Sequence, residues 1–124
     1  MSRWVKIAIV GSRAFGDCDT VFAKLVEVLK ELNLSFEDIL LVSGGAKGVD
    51  RCAEFIAREV LKVPFLVFPA NWDKFGRSAG PIRNSYIAEV ADVVIAFPSG
   101  ESKGTWDTIN KAKLRGKKVY VFSC

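Results

Sequence analysis

The chain has no histidine and no glutamine among its 124 residues, and methionine occurs only at position 1. The absence of histidine removes the commonest general base and the commonest metal ligand together, which excludes a Ser-His-Asp or Cys-His site made from this chain alone. Scarcity of thermolabile side chains is a feature of thermophilic proteins, and a thermophilic source is the expectation it raises. Cysteine is also sparse: Cys18, Cys52 and Cys124 are an odd number, with neither a CxxC nor a metal-like spacing. No metal site is expected, and the redox state of the three thiols stays open. Cys52 falls at helical apolar spacing and reads as a core residue.

Long hydrophobic runs are missing too. No stretch approaches the roughly 18 apolar residues of a membrane helix, and the opening "MSRWVKIAIVGSR" does not read as a signal peptide. These absences point to a cytoplasmic protein with no membrane partner. What is present is a globular composition, with 50% apolar and 26% charged residues. The length suits one domain, residues 1–124, with a single sizeable core. A net charge of +4 mildly favours anionic partners.

Along the chain the apolar period switches repeatedly between strand and helix. "WVKIAIV", "DILLVSG", "VPFLVF", "ADVVIAFP" and "KKVYVFS" read as strands. "CDTVFAKLVEVLKELN", "GVDRCAEFIAREVLK", "PIRNSYIAEVA" and "KGTWDTINKAKLRG" read as helices, while "PANWDKFGRSAG" shows no clear period. The alternation predicts an α/β fold: a Rossmann-like three-layer αβα sandwich with an open, mostly parallel five-stranded sheet.

In such a sheet every strand-to-helix loop emerges at the carboxyl edge, where ligands bind. Nine of the ten glycines fall in those loops, together with Arg13, Lys47, Arg51, Arg77, Arg83 and Lys103. Glycine-rich turns at helix starts offer backbone N–H groups and a favourable dipole to an anion. Plain tight turns are the alternative. "GGAKGVD" is not the Walker-type GxxxxGK[ST], and neither it nor "GSRAFG" fits GxGxxG.

Four ordered segments, "IVGSR", "SGGAKGVDRCAEFIA", "FPANWDKFGRSAGPIRN" and "ADVVIAFPSG…KGTWDTINKAK", resemble a widespread family of small uncharacterised Rossmann-like domains of bacteria and phages. That family is grouped with DNA-processing protein A and the Lonely Guy proteins in one superfamily of SLOG type. The likeness spans nearly the whole chain and raises the expectation of a phage or viral source. Lonely Guy proteins are phosphoribohydrolases, with an arginine at a helix start and a PGGxGTxxE loop whose glutamate takes part in catalysis. Here Arg83 occupies the arginine's place, and Pro98, Gly100, Gly104 and Thr105 match the loop. Thr108 stands where the glutamate is expected, with Asp107 the nearest acid. The DNA-processing branch, which binds single-stranded DNA, shares the "GSR" and "SGxAxGID"-like segments. By the same resemblance a homodimer is expected.

These readings give a main expectation: a nucleotide or nucleotide-derived phosphate ligand, and no other cofactor, held at the carboxyl edge. Its binding residues would be Gly11, Ser12 and Arg13; Ser43, Gly44, Gly45, Ala46, Gly48 and Asp50; Trp72; Arg83 and Asn84; and Gly104 and Thr105. Asp50 is either a first-turn carboxylate that complements its helix or a partner for a ribose hydroxyl. Trp72 and Phe75 either stack on a base or cover the core. One alternative is N-glycosidic hydrolysis, with Arg83 on the phosphate and Asp107 stabilising the ribosyl centre as catalytic residues. The other, less favoured, is single-stranded nucleic acid bound over the same edge with Trp72 as a stacking platform.

Overall fold

The computed structural model describes residues 4–100 and 102–123. Five strands, β1 (Val5–Gly11), β2 (Ile39–Ser43), β3 (Phe65–Val67), β4 (Val93–Phe97) and β5 (Lys118–Val121), form one sheet in the order β3-β2-β1-β4-β5. Every pairing in it is parallel, so the sheet expected to be mostly parallel is parallel throughout.

Between the strands lie α1 (Cys18–Glu31), α2 (Val49–Phe55), the single turn α3 (Trp72–Phe75), α4 (Ala79–Val90) and α5 (Lys103–Leu114). The strand period of two sorts side chains to opposite faces. Ile7, Ile9, Val93, Ile95 and Phe97 pack with Val21, Leu25 and Val28 of α1 and Val49 and Ala53 of α2. On the other face Ala8, Val10, Val94 and Ala96 meet Ile87 and Ala88 of α4 and Ile109 and Ala112 of α5. The second face uses smaller strand residues than the first. Three layers result, as the alternation of periods requires.

Local chemistry explains where the elements differ from the simple pattern. The helix expected over "GVDRCAEFIAREVLK" changes at Ile56 into a π-helical stretch, Ile56–Leu61, ended by Lys62 at φ +57. The unpatterned "PANWDKFGRSAG" contains α3, whose start is capped by Asn71 accepting from the Lys74 N–H at 3.1 Å. Helix α4 begins at Ala79, so Pro81 sits inside its first turn, where a missing N–H removes no helical bond.

Cys18 and Cys52 are joined by a disulfide, with their α-carbons 5.1 Å apart. Cys52 is buried against the α1–α2 side of the sheet as its helical spacing predicts. The bridge thus ties the start of α1 to the first turns of α2.

The chain leaves β1 toward β2 on one side, while β4 and β5 occupy the other. The loops after β1 and β4 therefore diverge from neighbouring strand ends. A crevice opens between them at the carboxyl edge.

Candidate functional site

A cavity of about 540 Å³ occupies that crevice, a size typical of small-molecule sites. Its floor is the end of β1, where Gly11 is required by crowding rather than by its dihedral angles. A β-carbon there would lie 2.7 Å from Val49 Cγ2 and 2.8 Å from the Phe97 carbonyl oxygen. Next, Ser12 is pinned on both sides: its N–H donates to Phe97 O at 3.0 Å and its carbonyl accepts from Val49 N at 3.2 Å. The Ser12 hydroxyl oxygen accepts from the Ala14 N–H at 3.0 Å, turning the chain so that Arg13 reaches the cavity from an exposed position.

The wall beneath β2 is built by the glycine turn. Gly48 takes φ +72, and a β-carbon on it would press into the carbonyl oxygens of Ser12 and Arg13. The loops after β1 and β2 therefore touch through backbone. Buried Ser43 ties the turn together, its hydroxyl donating to Asp50 O and accepting from Gly45 N, both at 3.4 Å. Ser43 and Gly44 are buried, Gly45 is exposed and Gly48 half-buried, all four outside the cavity lining, and the turn presents Ala46 and Asp50 to the cavity.

Asp50 is only 6% exposed. Its Oδ2 accepts from the Ala46 N–H at 3.2 Å. Burial pushes its carboxyl above the ordinary carboxylate value, opposed by the Ala46 N–H, by Arg83, by the Gly44 N–H and by Arg13. Arg83, from the start of α4, lies over Gly44 and donates from Nη1 to the Gly44 carbonyl oxygen at 2.8 Å. Its Nε donates to Asn84 Oδ1 at 2.9 Å. Burial lowers the Arg83 pKa, Asp50 raises it and Arg13 lowers it further, and a guanidinium stays charged through such shifts. Two hydrogen bonds use part of its five-donor fork, and Arg83 is one of the residues that line the cavity.

The opposite wall is the start of α5. Lys103, Gly104 and Thr105 line the cavity there, and the first N–H groups of a helix have no partner within it. The preceding turn is closed by Ser102, whose hydroxyl donates to Ser99 O at 2.6 Å and accepts from Ser99 N at 2.9 Å. Asn84 links this wall to α4: its Nδ2 donates to Gly104 O at 3.2 Å and to Asp107 Oδ2 at 3.1 Å.

Of the residues expected from sequence, Gly11, Ser12, Arg13, Ala46, Asp50, Arg83, Asn84, Gly104 and Thr105 share this one cavity. Asp107 is half-buried and outside the lining, its Oδ2 held by Lys111 Nζ at 2.8 Å as well as by Asn84. Trp72 lies apart, half exposed and bordering a shallow groove with Pro69, Ala70, Asn71 and Asp73. The sequence reading left out Ser99, Ser102 and Thr108, which complete the α5 wall. The signal was available in "PSGESKGT", where a serine directly precedes the first helical residue. Among the described residues no cluster of side chains suits a metal ion, and no helix is long and apolar enough to cross a membrane.

The fold and the chain both have known counterparts. The crystal structure of DNA processing protein A from Streptococcus pneumoniae superposes with a TM-score of 0.71 at 25% identity, covering 95% of this chain and 50% of that one. This chain thus spans half the length of that protein. Gene 61 protein of Mycobacterium phage D29 is 35% identical over 122 residues, which cover 94% of this chain and 95% of the phage protein. The sequence profile of the YspA, cpYpsA-related SLOG family, YAcAr, matches residues 5–75. That match takes in β1, the glycine turn, Asp50 and α3, and with the phage relative it establishes that the chain belongs to the YAcAr family of SLOG domains.

Proposed function

We propose that the protein binds a nucleotide or a nucleotide-derived phosphate ligand in the cavity between the ends of β1 and β4. The observation that carries this reading is the convergence of Arg13, Arg83 and Lys103 on one cavity that also receives the start of α5. Cationic side chains and unpaired helical N–H groups are complementary to a phosphate. Backbone hydrogen bonds and the close approach at Gly48 tie the two loops together, which reduces the order to be gained on binding.

The test is a thermal-shift series with mononucleotides, dinucleotides and inorganic phosphate, supported by native mass spectrometry of the purified protein for a carried-over ligand. A ligand present at about 100 times its Kd adds roughly 2.7 kcal/mol to stability, which moves the melting temperature by several degrees. A flat response across the whole panel would count against the reading. The geometry supports binding better than N-glycosidic hydrolysis. Asp107, the acid that hydrolysis would use, does not line the cavity and is engaged by Lys111 and Asn84.

A second reading rests on the likeness to DNA processing protein A. Single-stranded nucleic acid would cross the same edge, its phosphates on Arg13 and Lys103 and a base on exposed Trp72. Such binding weakens steeply with added salt. Retention unaffected by salt, or absent at low salt, removes it.

A further inference from the structure

The cavity contains one feature that phosphate binding alone does not explain. Among its three cationic side chains it presents a carboxylate, that of Asp50. An inorganic or condensed phosphate would meet repulsion from it. Asp50 is more than nine-tenths buried, and a charged group in that position is costly unless it is bonded. The N–H groups of Ala46 and Gly44 use part of its capacity. A carboxylate offers about four lone-pair directions, so acceptor capacity remains on a residue that lines the cavity.

The chemistry of a complementary group follows from the neighbours. An ammonium would suit Asp50 but would be repelled by Arg13, Arg83 and Lys103. A second anion is excluded by Asp50 itself. Neutral donors are left, and they must sit on the same molecule as the phosphate. Resting on the phosphate-binding reading above, we infer that Asp50 accepts hydrogen bonds from vicinal sugar hydroxyls, making the site selective for ribose phosphates over deoxyribose phosphates and free phosphate. Gly44 fits this division of labour. A β-carbon on it would lie 3.0 Å from Asp50 Oδ2 and overlap the Arg83 guanidinium, so its absence lets the two side chains sit side by side over the turn. The arginine therefore passes over the turn toward the phosphate while the carboxylate remains beside it for the hydroxyls.

Calorimetric titration of the wild-type protein with ribose 5-phosphate, 2-deoxyribose 5-phosphate and inorganic phosphate tests the inference without any variant. The expected result is tighter binding of ribose 5-phosphate than of the deoxy sugar by about tenfold or more, the usual scale for a hydrogen bond to a charged acceptor. Asp50→Asn, checked for folding by circular dichroism, should bring that ratio to within about twofold. The ratio is the readout, because a purely structural role for Asp50 would lower both affinities together. Equal binding of the two sugars by the wild type overturns the assignment of Asp50 and leaves the phosphate site standing. A ratio that survives in Asp50→Asn places the selectivity on another residue and also overturns it. Binding of none of the three ligands overturns both the inference and the reading beneath it.

Discussion

The guanidinium of Arg83 crosses the α-carbon of Gly44, its Nη1 bonded to the Gly44 carbonyl oxygen across 39 positions of sequence. No residue with a β-carbon leaves room for that path. Gly44→Ala should therefore push Arg83 aside. The obstructing atoms belong mainly to the end of a flexible side chain, so the fold gives way cheaply, at a cost of about 1–2 kcal/mol for the lost bond. Phosphate-ligand affinity should fall by about tenfold or more, because the displaced guanidinium no longer faces the cavity. Titration together with denaturant melts checks both effects. A variant that keeps full affinity would show that the crossing does not position Arg83.

Gly48→Ala should behave differently. Gly48 sits at φ +72, and an added β-carbon would meet backbone on the next loop, including the Arg13 carbonyl oxygen at 2.6 Å. Backbone held by β1 cannot swing away. Left-handed strain and overpacking together should cost about 2–5 kcal/mol. Urea melts of the two alanine variants compare them directly, and a Gly48→Ala as stable as Gly44→Ala would contradict the close approach of the two loops.

The sheet and its helices were legible because Ile7, Ala8, Ile9 and Val10 alternate between two buried faces and the helices carry their own period. The carboxyl-edge loops follow from that topology, which is why the sequence alone groups Ser12, Asp50, Arg83 and Thr105. Other features depend on contacts that no local pattern encodes. Arg83 over Gly44 is one, and the Cys18–Cys52 bridge, 34 residues apart, is another. Helix α3 was obscured because four residues are too few to display a period, and its start rests on the Asn71 side chain. The hold on Asp107 was half visible: Lys111 follows at the i+4 position favourable for a helical ion pair, while Asn84 arrives from another helix.

The Cys18–Cys52 disulfide closes a loop across 34 positions of sequence, joining α1 to α2 beside the glycine turn. A cross-link of that span lowers the entropy of the unfolded chain, with a stabilisation of about 3–4 kcal/mol. Reduction, or a Cys18→Ser, Cys52→Ser double substitution, should lower the melting temperature by roughly 10 °C for a chain of this size. Intact-mass measurement under non-reducing conditions should find the oxidised protein two hydrogens lighter than the reduced one. Equal melting temperatures with and without a dithiol reductant would remove the bridge from the stability of the fold.

Asp50 and Asp17 should respond to pH with opposite signs. Burial raises Asp50 above its ordinary value of 3.8. A raised carboxyl holds its proton more tightly when folded, so its contribution is full below the ordinary value and is lost as pH rises through the folded pKa. Asp17, the cap of α1, is lowered by the Thr20 hydroxyl and by the Thr20 N–H. Its contribution is present above the ordinary value and is lost as pH falls through the folded pKa. Urea unfolding of the wild type, Asp50→Asn and Asp17→Asn between about pH 3 and pH 7 separates the two. The stability difference between wild type and Asp50→Asn should shift against the wild type as pH rises, while that between wild type and Asp17→Asn shifts in its favour. A constant offset for Asp50→Asn across the series would mean that the carboxyl titrates alike in the folded and unfolded chains, and burial would not be what sets its charge.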